Sequence, residues 1–294
     1  MERRYDGAPP RNPLPAGAVD CQMHMYLPGF PAQMGGPGLP LLPLPDADAY
    51  RRVMRWLGID RVIITQANAH QRDNANLLAC LAAMGDCARG VAVISDRTGE
   101  AELAALDAAG IVGARVMDLP GGAVGLGQIA EVDARAHAMG WMMAVQFDGS
   151  DILDHEPMLA GLKSRWVLDH HGKFFRGITP DGPEMAALKR LIDSGRVWYK
   201  IAGCYESSRS GGPHYEDVAA ITREVARYAP ERIVWGTNWP HNLARTEADY
   251  PDEAALADLT LGWLPDDRAR HLALVDNPEA LYGGRLAPGR SLPG

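Results

Sequence analysis

RVIITQA, residues 61–67, is a short apolar run without a polar–apolar alternation. Strands buried on both faces read this way, because neither side meets water. Before it, DADAYRRVMRWLG (46–58) has an acidic start, apolar residues at helical spacing and a glycine stop, which marks a helix with both ends signalled. After it, NANLLACLAAMGDCA (74–88) is again helical in pattern. A buried strand between two helices is the unit of an α/β fold.

The unit recurs. Further strands are expected at AVDCQMH (18–24), GVAVIS (90–95), GARVMDL (113–119), WMMAVQF (141–147), RWVLDHH (165–171), VWYKIAG (197–203) and RIVWGTN (232–238). Helical patterns GEAELAALDAAG (99–110), QIAEVDARAHAMG (128–140), PEMAALKRLIDSG (183–195) and YEDVAAITREVARYAP (215–230) lie between them, several ending in glycine or proline. Eight strand-then-helix units without a composition break predict a single (β/α)8 TIM barrel. A doubly wound open sheet is the alternative. No glycine-rich phosphate loop follows the first strand, which disfavours it. GGAVGLG (121–127) lacks the Lys-Ser/Thr of a phosphate loop and is read as a plain loop.

The domain reading is an extended segment at 1–17, the barrel at 18–282 and a flexible tail at 283–294. YLPGFPAQMGGPGLPLLPLP (26–45) is dense in Pro and Gly. It leaves the C-terminal end of the first strand, where barrel active sites sit. It is expected to cover the substrate, since long irregular loops inside compact domains usually serve function.

The 294 residues are 47% hydrophobic and 22% charged, with a net charge of −8 and a pI near 5.6. Nucleic acid and anionic membrane surfaces call for basic patches, so neither is expected as a partner. Four cysteines, Cys21, Cys80, Cys87 and Cys204, form no C-x-x-C pair and read as reduced thiols. The N-terminus has no apolar signal-peptide core, and no apolar run reaches the length of a membrane span. A cytoplasmic protein is expected. The tail and the 26–45 loop leave room for a homo-oligomer.

In a barrel the strand ends carry function. The first strand offers Asp20, Gln22 and His24, placed on one side by the period of two. The sixth offers Asp169, His170 and His171, of which at most one histidine faces the barrel interior. The eighth offers Thr237, Asn238, Trp239 and His241. Asn68 follows the second strand, Gln146 ends the fifth, and Lys200, Tyr205 and Arg209 belong to the seventh and its loop. Arg115 lies inside an apolar strand, where an unpaired charge is costly. It is either half of a buried ion pair or a fork for a substrate carboxylate. The same strand ends also admit plain structural readings: a satisfied core histidine, a surface histidine on a turn, a rigid aromatic turn.

VDCQMH, DHHGKF, YESSR and WGTNWPHN together resemble the amidohydrolase superfamily. Within it they resemble the metal-independent lactone enzymes, which comprise dicarboxylate lactonases and galactarolactone isomerases, and they lie nearer the isomerases. The resemblance covers about residues 17–282. The family pattern has His-x-His on strand 1, a histidine on each of strands 5 and 6, and an aspartate on strand 8. Those positions hold Gln22, His24, Gln146, His170 and Asn238. Three have become neutral amides, which are weak ligands for a divalent ion. The resemblance therefore implies no metal and no cofactor.

It implies an isomerase that interconverts ring forms of an aldaric acid lactone, of the D-galactaro-1,5-lactone to 1,4-lactone type, by intramolecular acyl transfer. Asn238 cannot serve as the base that activates water in hydrolytic relatives. A tethered hydroxyl needs no water, and proximity supplies much of the rate. His170 or His241 is then the general acid/base. His24, Gln22 and Asn238 orient the lactone or stabilise the oxyanion. Arg115 or Arg209 pairs with the free carboxylate, and Gln146, Asn68 and Lys200 contact hydroxyls or carboxylate. A metal-independent lactonase is the first alternative, and a non-catalytic barrel that binds a sugar acid or a partner protein the second.

Overall fold

A computed structural model describes residues 3–286 and 288. Of the tail expected at 283–294, residues 287 and 289–294 lie outside the described residues. Eight parallel strands run in sequence order: β1 (Val19–Met23), β2 (Arg61–Thr65), β3 (Ala88–Ala92), β4 (Ile111–Met117), β5 (Met142–Gln146), β6 (Trp166–Leu168), β7 (Val197–Ile201) and β8 (Ile233–Trp235). The two ends of the sheet meet. His24 N donates to Trp239 O at 2.8 Å, and Asn238 N donates to Gln22 O at 2.8 Å. This is a (β/α)8 TIM barrel.

Helices α1 (Ala47–Leu57), α2 (Ala75–Met84), α3 (Glu100–Ala108), α4 (Ile129–Ala138), α5 (Ile152–Ala160), α6 (Pro183–Asp193), α7 (Glu216–Tyr228) and α8 (Glu253–Leu261) form the outer layer. In α1, Asp46 caps the start by accepting from Ala49 N, and Gly58 ends it at φ 82°, so both sequence signals are used. The sequence patterns did not mark α5 or α8. Helix α5 carries Pro157 in its interior, which blurs the periodic signal.

Two apolar layers hold the barrel. Val19, Cys21, Ile63, Val91, Val112, Met142, Ala144, Val167, Trp198 and Val234 pack inside it. The other strand face packs on the helices, with Met54, Leu77, Leu103, Val132, Leu188 and Val225. The seam between β1 and β8 depends on Gly236. A Cβ there would lie 2.6 Å from Gln22 N and Gln22 Cβ, so only glycine permits this approach.

β1 departs from the expected alternation. The β1–β2 register shifts between Asp20 and Met23, the mark of a bulge. Asp20 accepts from Tyr50 Oη of α1 at 2.7 Å, whereas Gln22 accepts from Lys200 Nζ of β7 at 3.0 Å. Asp20 and Gln22 therefore serve opposite sides, and Asp20 knits β1 to Thr237 and α1.

The 26–45 loop contains no helix or strand. Tyr26 N donates to Pro45 O at 3.1 Å and closes its neck. Gln33 N donates to Ala69 O at 2.7 Å, and Arg3 donates to Leu41 O and Pro43 O. All four cysteines are free and buried. Among the described residues no helix is long and apolar enough to cross a membrane.

Candidate functional site

A cavity of about 330 Å³ opens at the C-terminal ends of the strands. Its lining combines His24, Asn68, Arg115, Gln146, His170 and Asn238 with Tyr26, Met117, Lys173, Glu206 and Arg245. Pro37, Gly38, Leu39 and Pro40 of the 26–45 loop form part of the wall.

The backbone turns sharply where the strands end. His170 (φ 49°), His171 (55°), Lys173 (46°), Asn238 (62°) and His241 (56°) all occupy the left-handed region. Such conformations are costly for side-chain-bearing residues and concentrate at functional sites. One consequence is the parting of two adjacent histidines. His170 lines the cavity, while His171 turns to Thr222 of α7, 3.0 Å from its Oγ1.

His24 holds its Nδ1 2.8 Å from Thr65 O. Burial, then the charge of Arg115, lowers its pKa to about 3. Burial likewise lowers that of His170 to about 4. Both rings are neutral at pH 7.

Arg115 is 3% exposed. Its Nη1 donates to Gln66 O (2.8 Å) and Asn68 Oδ1 (2.9 Å), and its Nη2 to Gln146 Oε1 (3.0 Å). Every one of these acceptors is neutral, and Nε is buried without a partner. The ion pair with an aspartate is therefore not what holds it. Asp169 and Glu206 act on it by charge without touching it, so a buried cation with no carboxylate in contact faces a polar cavity that can admit an anion.

Glu206 pairs with Lys173 and accepts from Asn238 Nδ2 at 2.7 Å. Burial opposes its charge. The charges of His170, when protonated, and of Lys173 outweigh burial, and with the Lys173 and Asn238 hydrogen bonds they hold the carboxyl at about 2. Asn238 Nδ2 also reaches Tyr205 Oη at 2.9 Å, and its Oδ1 lies 3.1 Å from His170 Nε2.

Four residues expected at the site lie elsewhere. Gln22 and Lys200 are fully buried beneath the cavity, where Lys200 Nζ sits 2.6 Å from Asp169 Oδ1. His241 is enclosed between Tyr205 Oη and Glu253 Oε1, each at 2.6 Å, and does not line the cavity. Arg209 is exposed and donates to Arg176 O at 2.6 Å. Neither Arg209 nor His241 is among the residues that line the cavity. Glu206, Lys173, Tyr26 and Arg245 went unread in the sequence. Glu206 and Lys173 stand within YESSR and DHHGKF, but left-handed residues decide which side chain of DHHGKF faces inward, and the turn at Gly203 leads into YESSR.

Among the described residues no group of three or more His, Cys, Asp or Glu side chains could hold a metal ion.

Residues 19–284 match the amidohydrolase family model. The chain is 63% identical over 288 residues to D-galactarolactone isomerase of Agrobacterium fabrum, covering 98% of each. It is 30% identical to a 2-pyrone-4,6-dicarboxylate hydrolase of Comamonas testosteroni, over 93% of this chain and 92% of the relative. An apo crystal structure of an Agrobacterium tumefaciens protein superposes with a TM-score of 0.94 at 64% identity, covering 96% of this chain and 99% of the other. Such agreement, running through every strand of the barrel, fixes the lineage: the chain belongs to the amidohydrolase family.

Proposed function

We propose that this protein isomerises an aldaric acid lactone, of the D-galactaro-1,5-lactone to 1,4-lactone type, without a metal, in the cytoplasmic catabolism of sugar acids. The Agrobacterium fabrum relative bears the name D-galactarolactone isomerase. The observation that carries the reading within the cavity is the state of Asn238. Both of its amide hydrogens go to Glu206 and Tyr205 and its oxygen faces His170, and an amide is not basic. The position that would activate water is thus occupied by a group that cannot.

The donor set does not fit a divalent cation. Gln22 Oε1 is taken by the Lys200 ammonium, Gln146 Oε1 by the Arg115 guanidinium and Asn238 Oδ1 by His170. Two of the oxygens a cation would need already face a positive charge.

Arg115 pairs with the free carboxylate of the lactone, with Asn68 and Gln146 beside it for hydroxyls. A hydroxyl of the same molecule attacks the lactone carbonyl, and holding both in one cavity replaces a bimolecular collision. Neutral donors receive the oxyanion.

The test is the lactone in ¹⁸O-water, followed by ¹³C NMR and mass spectrometry. An unlabelled lactone of new ring size is expected. Label in a ring-opened diacid would make the protein a lactonase.

A further inference from the structure

Two imidazoles face the cavity, and the surrounding structure fixes them in opposite senses. His24 Nδ1 lies 2.8 Å from the Thr65 carbonyl oxygen. A carbonyl only accepts, so Nδ1 carries the hydrogen and Nε2 holds a lone pair. Gln22 cannot quench it well. Its Oε1 is held by Lys200 Nζ and Thr65 Oγ1, and its Nε2 stands 3.5 Å from His24 Nε2, at the limit of a hydrogen bond.

His170 is set the other way, through two residues. Glu206 is ionised beside Lys173 and only accepts, so the Asn238 atom 2.7 Å from it is the nitrogen. That turns Asn238 Oδ1 toward His170 Nε2 at 3.1 Å. An amide oxygen only accepts as well, so His170 Nε2 carries the hydrogen. Its Nδ1 is buried without a hydrogen-bond partner. That hydrogen is directed at Asn238 Oδ1, so the ring offers no lone pair on that side.

We propose that His24 Nε2 is the single proton shuttle of the isomerisation, and that His170 Nε2–H, shared between Asn238 Oδ1 and the substrate, receives the oxyanion. Glu206 and Asn238 are positioning residues that hold His170 in its donor tautomer. The assignment rests on the isomerase reading above, and it replaces the expectation that His170 or His241 moves the proton.

The step balances on one nitrogen. The attacking hydroxyl gives its proton to His24 Nε2 as its oxygen bonds to the lactone carbonyl carbon. The carbonyl π pair moves onto oxygen and is met by His170 Nε2–H. Collapse re-forms the carbonyl and breaks the old ring C–O bond, and the leaving oxygen takes the proton back from His24. Both oxygens are bonded to the same carbon, so one imidazole reaches both. Nothing is oxidised, and no water is consumed. Were neutral His170 to surrender its Nε2 proton instead, an imidazolate would remain beside the Asp169 carboxylate, 3.9 Å from Nδ1.

The full chain labelled with ¹⁵N-histidine reports both ring states directly, each ring being assigned through its backbone. His24 is expected to show a bare Nε2, and His170 a bare Nδ1 with a protonated Nε2. In kinetics with the 1,5-lactone, His24→Gln should lower kcat by roughly 100-fold or more with KM little changed, the usual scale of general base loss. His170→Gln keeps an amide N–H donor and should lose about 10-fold, on the scale of one neutral donor hydrogen bond. A wild type that isomerises with the tautomers reversed, or a larger kcat loss in His170→Gln than in His24→Gln, overturns the assignment alone. A wild type that hydrolyses or ignores the lactone overturns the isomerase reading. The ring states are read on the wild type, so they decide the matter even if a variant fails to fold.

Discussion

Replacing Asn238 with aspartate is the obvious way to restore a water-activating base, and the structure says it will fail. The new carboxylate oxygen would stand where Asn238 Nδ2 now sits, 2.7 Å from Glu206 Oε1. Two unit charges at that separation repel by roughly 6 kcal/mol at an effective dielectric of about 20. That equals about 4 pK units, and Lys173, paired with Glu206, offsets only part of it. The two carboxyls should therefore share one proton at neutral pH, and the shared proton restores the hydrogen bond that the amide makes now. Asn238→Asp is expected to isomerise more slowly and to incorporate no ¹⁸O from labelled water. The double variant Asn238→Asp/Glu206→Gln removes the repulsion, leaves the aspartate ionised and should open a hydrolytic route. The assay is mass spectrometry of the product in ¹⁸O-water at pH 7. Label entering the diacid in the single variant as fast as in the double would refute the coupling between positions 206 and 238.

Four further outcomes are expected. Arg115→Gln should raise KM on the order of 100-fold, the usual cost of losing a buried partner to a bound charge, yet move the denaturant midpoint little, because the cost of burying the guanidinium offsets its hydrogen bonds and the charges of Asp169 and Glu206. His241→Ala strands Glu253, 2.6 Å from Nε2 in a fully buried pair, and should cost about 3–5 kcal/mol of stability by urea titration. Gly203 sits at φ 60°, and a Cβ there would lie 2.6 Å from Asn238 Nδ2; Gly203→Ala should lower kcat more than it raises KM. Acid should destabilise the fold early. Burial lowers the pKa of His24 and His171 to about 3 and that of His170 to about 4, so between pH 6.5 and those values the unfolded chain binds up to three more protons, and stability falls as pH falls. Asp20 acts in the opposite sense. Burial raises its pKa to about 6, so its contribution is present below about pH 4 and is lost as pH rises through 6. Urea midpoints at pH 7, 6 and 5 should decrease in that order, and a flat series would contradict the burial of neutral imidazoles.

The barrel was legible because its signals are local. RVIITQA must be buried on both faces, and Asp46 and Gly58 mark the ends of the neighbouring helix. The eight-unit count survived even where individual helices were missed, since α5 still had to connect two plain strands and α8 follows the last of them. Half of the polar lining was legible too. His24, Asn68, Gln146, His170 and Asn238 lie at or just past strand ends, Arg115 lies within β4, and all line the cavity.

The rest depended on where the chain bends. A bulge after Asp20 breaks the alternation that would have grouped it with Gln22. Left-handed turns at His170, Lys173 and Asn238 choose which side chain of each motif enters the cavity, and the sequence motif reads the same either way. The 26–45 loop announced itself by Pro and Gly, but its seat over the strand ends comes from Arg3 and Ala69, both outside that loop. The sequence by itself determined the strand and helix periodicity and placed an arginine inside an apolar strand, because each is written in neighbouring residues; the amides at 22, 146 and 238 stood out only beside the family pattern. Only the tertiary structure decided that Glu206 orients Asn238, that Asn238 orients His170, and that Thr65 O orients His24. Hydrogen-bond direction depends on which atoms meet across the barrel, and residues 32 to 68 positions apart meet there only once the sheet has closed.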